Sequence, residues 1–409
     1  MTHVDSGTTD QQRSSSSRTP PGEEQGDVRS AAPHSPRSRV LAFLRERGVQ
    51  VDRWILAGML LSLFLGMTGG TWDAGWHVTF LRETFWSPPH ILLYAATAGS
   101  MFLGLAAVLV ARLQRRPIPL GFAIVALGAF IVIEAAPLDE FWHRTFGRDV
   151  DVWSFPHLVA LAGGMAISIG CVLALEADRR RFPGSGFLHK LVMVLFISVL
   201  LWATMFSLNW YTLVLATLRE SVKYPILAAL VASPALVFAT ARVGRWGATA
   251  SAAIYMLYVA LAHGVMALFG MAHLPFPPVL LLPAIVIDVV YWRLPTNGWR
   301  RAAMTGAFFA PFFFLAEALS LKLYPHPPMQ DFPTDALALS YYLEAVARPW
   351  DLAHVAVSLP IAMVVGALSA QLGAWLGEIQ GLFFDADRLF KRARRPSVGH
   401  PAAVGRGRG

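Results

Sequence analysis

Residues 54–72 read WILAGMLLSLFLGMTGGTW, nineteen positions without one charged side chain. A helix of that length is about 28 Å long, close to the thickness of a bilayer's hydrocarbon core. Inside lipid every backbone N–H and C=O must find its partner within the segment, so this stretch is expected to be a transmembrane helix. Working outward, comparable apolar stretches follow at 90–111, 118–137, 157–176, 188–209, 224–241, 249–271, 277–293, 302–322 and 352–376. The expected fold is therefore all-α, a polytopic integral membrane helix bundle of about ten transmembrane helices. The whole chain agrees: 55% of its 409 residues are hydrophobic, only 15% are charged, and the mean hydropathy is +0.49. Such values lie far outside the range of soluble domains.

The charges sit between the spans. Arg37, Arg39, Arg45, Arg47 and Arg53 precede the first span; Arg112, Arg115 and Arg116 follow the second. Arg179, Arg180 and Arg181 follow the fourth, Arg242 and Arg245 the sixth, and Arg293, Arg300 and Arg301 the eighth. Lys391, Arg392, Arg394 and Arg395 close the tenth. A basic exit from every even-numbered span places both termini in the cytoplasm and makes the protein an inner-membrane one. The net charge of +8 is thus an orientation signal, and it implies a lipid bilayer and no nucleic acid as partner.

Four regions follow from this. Residues 1–50 form a Ser-, Pro- and Arg-rich cytoplasmic arm expected to be disordered, and 381–409 a basic tail of the same kind. Residues 51–180 carry four spans, and 181–380 a further six. The single cysteine, Cys171, lies in an apolar run, which excludes a disulfide framework and any cysteine-based metal site.

Residues 51–180 contain one pattern twice. Residues 73–90 read DAGWHVTFLRETFWSPPH and residues 139–157 read DEFWHRTFGRDVDVWSFPH. Asp73, Trp76, His77, Thr79, Phe80 and Arg82 recur 66 positions later as Asp139, Trp142, His143, Thr145, Phe146 and Arg148. Beyond a one-residue insertion, Trp86, Ser87, Pro89 and His90 recur as Trp153, Ser154, Pro156 and His157. With cytoplasmic termini, both copies fall on the outer, periplasmic side, each joining the two helices of a hairpin, and the two hairpins have the same orientation.

Each copy supplies one carboxylate and two imidazoles, D-x3-H-x12-H and D-x3-H-x13-H. If the first span stays helical past Thr71, Asp73 and His77 stand one turn apart on one face, as do Asp139 and His143 on span three. Pro88-Pro89 and Pro156 suit the first turn of the next helix, which sets His90 and His157 at helix starts facing back toward them. Two imidazoles and a carboxylate on fixed helix ends suit copper, zinc or non-haem iron. Arg82, Glu83, Arg148 and Asp149 are candidates for orienting these ligands, and Glu134 for a further ligand or proton relay one turn below Asp139. The tryptophans around the motifs suit the membrane–water interface.

These residues carry a family resemblance. Asp73, His77 and His90 resemble the first copper-ligand triad of the C subunit of copper-containing membrane monooxygenases, the particulate methane, ammonia and hydrocarbon monooxygenases. Asp139, His143 and His157 resemble its second triad, in the same order, except that the family has Asn at the position of Asp139. The resemblance spans roughly residues 50–180. It implies copper as cofactor and O2-dependent hydroxylation of a small apolar substrate, with reducing equivalents from quinol. It also implies separate membrane and cupredoxin-like subunits, because this chain has no cupredoxin-like domain; a homo-oligomer is a further expectation. The six later spans depart from the family's C subunit.

A rival expectation is a non-catalytic, periplasm-facing copper or zinc acquisition, transport or assembly factor. Transport needs polar ligands along a path through the membrane, for which Glu134, His263, Asp288 and Glu317 are the candidates, since intramembrane ionisable groups are costly unless used. The last outer loop adds His326, Asp331, Asp335, Glu344 and Asp351, with His354 closing it, a weakly specified set.

Overall fold

The computed structural model describes residues 36–80, 84–146, 154–181, 186–214, 223–271, 279–296, 298–323, 352–378 and 383–384. Eleven helices account for nearly all of them. Helix α1 spans Pro36–Phe80, α2 Pro88–Leu113, α3 Leu120–Phe146, α4 Phe155–Arg181 and α5 Phe187–Val214. Helices α6 (Lys223–Val243), α7 (Gly247–Leu268), α8 (Leu281–Arg293), α9 (Gly298–Ala307), α10 (Phe309–Leu323) and α11 (Leu352–Glu378) follow. Nine stretches among the described residues are long and apolar enough to cross a membrane, α9 and α10 together making one of them. The protein is an integral membrane helix bundle.

Two expectations need correcting. Residues 36–50 belong to α1, so the amino-terminal arm is not disordered over that part; Leu41, Ala42, Leu44 and Glu46 are good helix formers that extend the first span backward. Residues 1–35 lie outside the described residues. The eighth span, expected over 277–293, is helical only from Leu281; thirteen residues give about 20 Å, too short to cross unaided.

The start of the first span and the end of α11 lie close together. A two-residue strand β1 (Ile118–Pro119), in the α2–α3 turn, pairs antiparallel with β2 (Phe383–Phe384), just beyond α11. Near the start of the first span, Asp52 accepts a hydrogen bond from Arg116 of that same turn at 2.6 Å. The first span therefore begins, and α11 ends, on one side of the bundle.

That side is held by ion pairs. Arg53 on α1 meets Asp178 on α4 at 3.6 Å, and Glu176 on α4 is shared by Arg179 at 3.0 Å and by Arg242 of α6. Four of the arginines that mark orientation in the sequence, Arg53, Arg116, Arg179 and Arg242, thus also tie α1, α4, α6 and the α2–α3 turn together at their basic end.

Between membrane helices there is little hydrophobic driving force, so close packing decides which pairs adhere. Helices α3 and α4 meet through glycines: a Cβ on Gly128 would lie 2.7 Å from the Gly163 carbonyl, and one on Gly121 2.4 Å from the Gly170 carbonyl. One apolar core runs through α1 to α11, including Met59, Phe122, Phe196, Leu236, Tyr255 and Phe313. Cys171 is buried in it with its thiol 4.0 Å from the Met59 sulfur, an ordinary core contact.

Candidate metal centre

Both copies of the repeated motif lie at the end of the bundle opposite the ion pairs, where α1 and α3 finish and α2 and α4 begin. Helix α1 continues to Phe80 and α3 to Phe146, so Asp73 and His77, and Asp139 and His143, stand one turn apart on their helices. Pro88 opens α2, and His90 follows within its first turn. Phe155 opens α4, with Pro156 and His157 next.

In the second copy the three ligand types converge. The His143 and His157 Nε2 atoms each lie 3.3 Å from a different oxygen of the Asp139 carboxylate. One ligand atom from each residue can be chosen so that all lie within 4.8 Å of one another. The imidazole rings are 6.2 Å apart between centroids and inclined at 63°, so both present edges to the carboxylate. Donors about 2.0–2.2 Å from one ion sit roughly 3.0–3.6 Å from each other in tetrahedral or cis-octahedral arrangements. The two Asp139–imidazole distances already fall in that range.

In the first copy His90 Nε2 approaches Asp73 Oδ1 at 3.1 Å. The other ring nitrogen, Nδ1, is 3.1 Å from the Thr84 carbonyl. A carbonyl only accepts, so Nδ1 carries the hydrogen, which leaves Nε2 facing the carboxylate. Two electron-rich atoms at 3.1 Å are held together by a cation between them, a proton or a metal ion. A backbone carbonyl that fixes one imidazole nitrogen while the other faces a ligand site is the usual support of metal-bound histidine. His90 is buried, with Tyr94 one turn on beside its ring at 5.9 Å between centroids. The backbone puts His77 on the turn after Asp73; its side chain lies outside the described residues, so the first triad is described for two of its three members.

The other nominated residues sort differently. Arg82, Glu83, Arg148 and Asp149 lie outside the described residues, as do His326, Asp331, Asp335, Glu344 and Asp351 of the last loop. Glu134 is on α3 but exposed, and it does not join the Asp139 cluster: five residues back along a helix turns its side chain about 140° away. The expected further ligand or relay is therefore not at this site. Asp288 is buried and fully employed at the opposite end of the bundle. It accepts hydrogen bonds from Thr240 Oγ1, from Thr249 through both N–H and Oγ1, and from the Ala248 N–H, capping the start of α7 from the neighbouring α8. Glu317 on α10 accepts from the Val279 N–H at 2.8 Å, just ahead of α8. These groups occupy separate parts of the bundle and do not line a single path beneath His90.

Sequence reasoning missed the Thr84 carbonyl, because a main-chain contact leaves no residue-type signal. Tyr94, one turn beyond His90 on α2, was missed as well, although the i to i+4 spacing from His90 would have placed it beside the ring. No protein-family model, no curated protein and no solved structure matches this chain.

Proposed function

We propose that this protein is a metal-binding integral membrane protein that holds copper at two neighbouring sites, one from Asp73, His77 and His90 and one from Asp139, His143 and His157. Zinc and non-haem iron are the alternative ions for such a donor set. The single observation that carries the reading is the convergence of Asp139, His143 and His157, from two helices, onto one point. The approach of His90 Nε2 to Asp73, with Nδ1 held by the Thr84 carbonyl, supports the companion site. On this reading the basic end of the bundle is cytoplasmic and both sites face the periplasm of an inner-membrane protein.

The resemblance to the C subunit of copper membrane monooxygenases extends the proposal to a subunit of an O2-using assembly that hydroxylates a small apolar substrate, with membrane and cupredoxin-like partners on other chains. Bound copper would supply the O2 chemistry. The chain's own contribution is to hold the ion with two imidazoles and a carboxylate, to fix His90 through the Thr84 carbonyl, and to surround both sites with apolar helix ends. A transport role demands polar groups in series through the bilayer, and Asp288 and Glu134 are not placed to serve one.

Metal analysis of the purified protein tests the proposal. About two equivalents of copper are expected, falling by about one in His90→Ala and by about one in His157→Ala. Protein that binds no transition metal after copper loading would overturn it.

A further inference from the structure

Helix α3 has three faces, and two are packed. One lies against α4 through Gly121 and Gly128; another receives α2, where a Cβ on Gly104 would touch Ala126 and the Phe122 carbonyl at 3.0–3.1 Å. The third carries Leu127, Phe130, Glu134, Pro137 and Phe141, all exposed and spaced alternately by three and four residues. That spacing is the one with which two helices pack side by side over a long seam. Leu127, Phe130 and Phe141 are each more than half exposed.

Glu134 stands in the middle of this seam. It is fourteen positions from Leu120 and twelve from Phe146, about 20 Å from either end of the helix. Among the described residues it makes no hydrogen bond or ion pair. A carboxyl group at mid-depth facing hydrocarbon is strongly unfavourable, and such groups are retained where protein covers them. Pro137 deepens the need, because it has no N–H to give the Ile133 carbonyl one turn back. Lipid tails satisfy neither group.

We propose that this seam of α3 is a homodimer interface, with Glu134 of one copy paired with Glu134 of the other. The choice of a second copy rests on topology and charge. Copies in one membrane share orientation, so a two-fold axis along the membrane normal that passes beside α3 sets the two Glu134 residues at equal depth. Among the described residues no Lys, Arg or His is exposed near mid-span, so this chain has no cation to offer there, and an identical copy needs none. Two protonated carboxyls each donate O–H to the other's carbonyl oxygen, satisfying both groups with no net charge in the bilayer. A single polar position in an otherwise apolar seam also fixes register. The inference does not depend on metal binding.

Crosslinking in native membranes tests it. The only native cysteine, Cys171, is buried and serves as the silent background. Phe141→Cys lies on the seam near the ligand end of α3, and Leu268→Cys, 86% exposed at the same end of α7, is the control. With a short bismaleimide, Phe141→Cys is expected to give a covalent dimer of twice the chain mass and Leu268→Cys none. In lipid nanodiscs Glu134→Leu should weaken dimerisation by about three- to twentyfold, the range of interhelical hydrogen bonds in membranes, while Glu134→Gln, whose amides also pair, largely retains it. Equal crosslinking at the two cysteines, a Phe141→Cys product of any other mass, or a dimer indifferent to Glu134→Leu would each overturn the proposal. Phe141→Cys leaves Glu134 in place, so the crosslinking result stands even where a Glu134 variant fails to fold.

Discussion

The two hairpins, α1–α2 and α3–α4, start from nearly the same motif and solve its geometry by different means. In the second, backbone meets backbone: Gly128 opposes Gly163 and Gly121 opposes Gly170, closely enough that no side chain fits between them. That contact sets α3 and α4 near each other up to the point where Asp139, His143 and His157 meet. In the first, side chains separate the helices: a Cβ on Gly58 would meet Leu103, and one on Gly69 would meet Leu93 side-chain and backbone atoms. Ser62 Oγ donates to the Ala96 carbonyl at 3.0 Å to bind the pair. There the site is fixed locally, by the Thr84 carbonyl on His90, and α1 is backed by α7, with the Met266 sulfur lying against Gly75. The lesson is that one ligand pattern can be organised either by how closely two helices approach or by one hydrogen bond at a helix start.

The largest effect should come from breaking the glycine contact. Gly128→Val places methyl groups against the Gly163 carbonyl and the Ile167 amide and is expected to cost about 3 kcal/mol or more, since backbone cannot yield as a side chain can. Gly164→Ala on the facing helix α4 meets nothing within 4 Å and should be close to neutral. Thermal unfolding of the two variants in detergent makes the comparison; equal losses would show that the glycine contact is not what holds hairpin two.

Next in size is the charge at the second site. Asp139→Asn keeps an oxygen donor and removes the negative charge that both imidazoles face. Copper(II) and zinc(II) affinity there is expected to fall by about 10- to 100-fold, and copper(I) affinity by less, because a monovalent ion gains less from a carboxylate. Competition titrations against chelators of known affinity read the split. An unchanged copper(II) affinity would remove Asp139 from the ligand set.

A smaller and more local change tests the first site. Thr84 is exposed, so Thr84→Gly costs little packing, but it loosens the backbone whose carbonyl holds His90. Metal affinity at the first site should drop by about tenfold while the second site is unaffected. Equal losses at both sites would mean that the hairpins are coupled and that the comparison between them fails.

Much of the architecture was legible in the sequence. Apolar runs of membrane length located the spans, and arginines at alternate exits gave their order of direction. The start of α2 at Pro88, and of α4 beside Pro156, followed from proline's place in a first helical turn. The short α8 was not legible, because hydropathy continues across 277–293 while the helix itself begins at Leu281. Glu134 was misjudged for a related reason: closeness in sequence to Asp139 says nothing about which way a helix turns the side chain. Asp288, an intramembrane acid that looked functional, is occupied by two threonines and the first amides of α7.

By itself the sequence determined the class of molecule and the chemistry on offer. Lipid admits only helices for such runs, and one carboxylate with two imidazoles recurring at matched spacing offers two candidate ligand sets. The tertiary structure decided which of those sets converge. Convergence depends on contacts between residues far apart in the chain, such as Gly128 with Gly163, whose approach distance no local pattern encodes. It also decided which ionisable groups are used up inside the fold and which face outward, and so why Asp139 gathers two histidines while Glu134, five residues earlier, faces away from them.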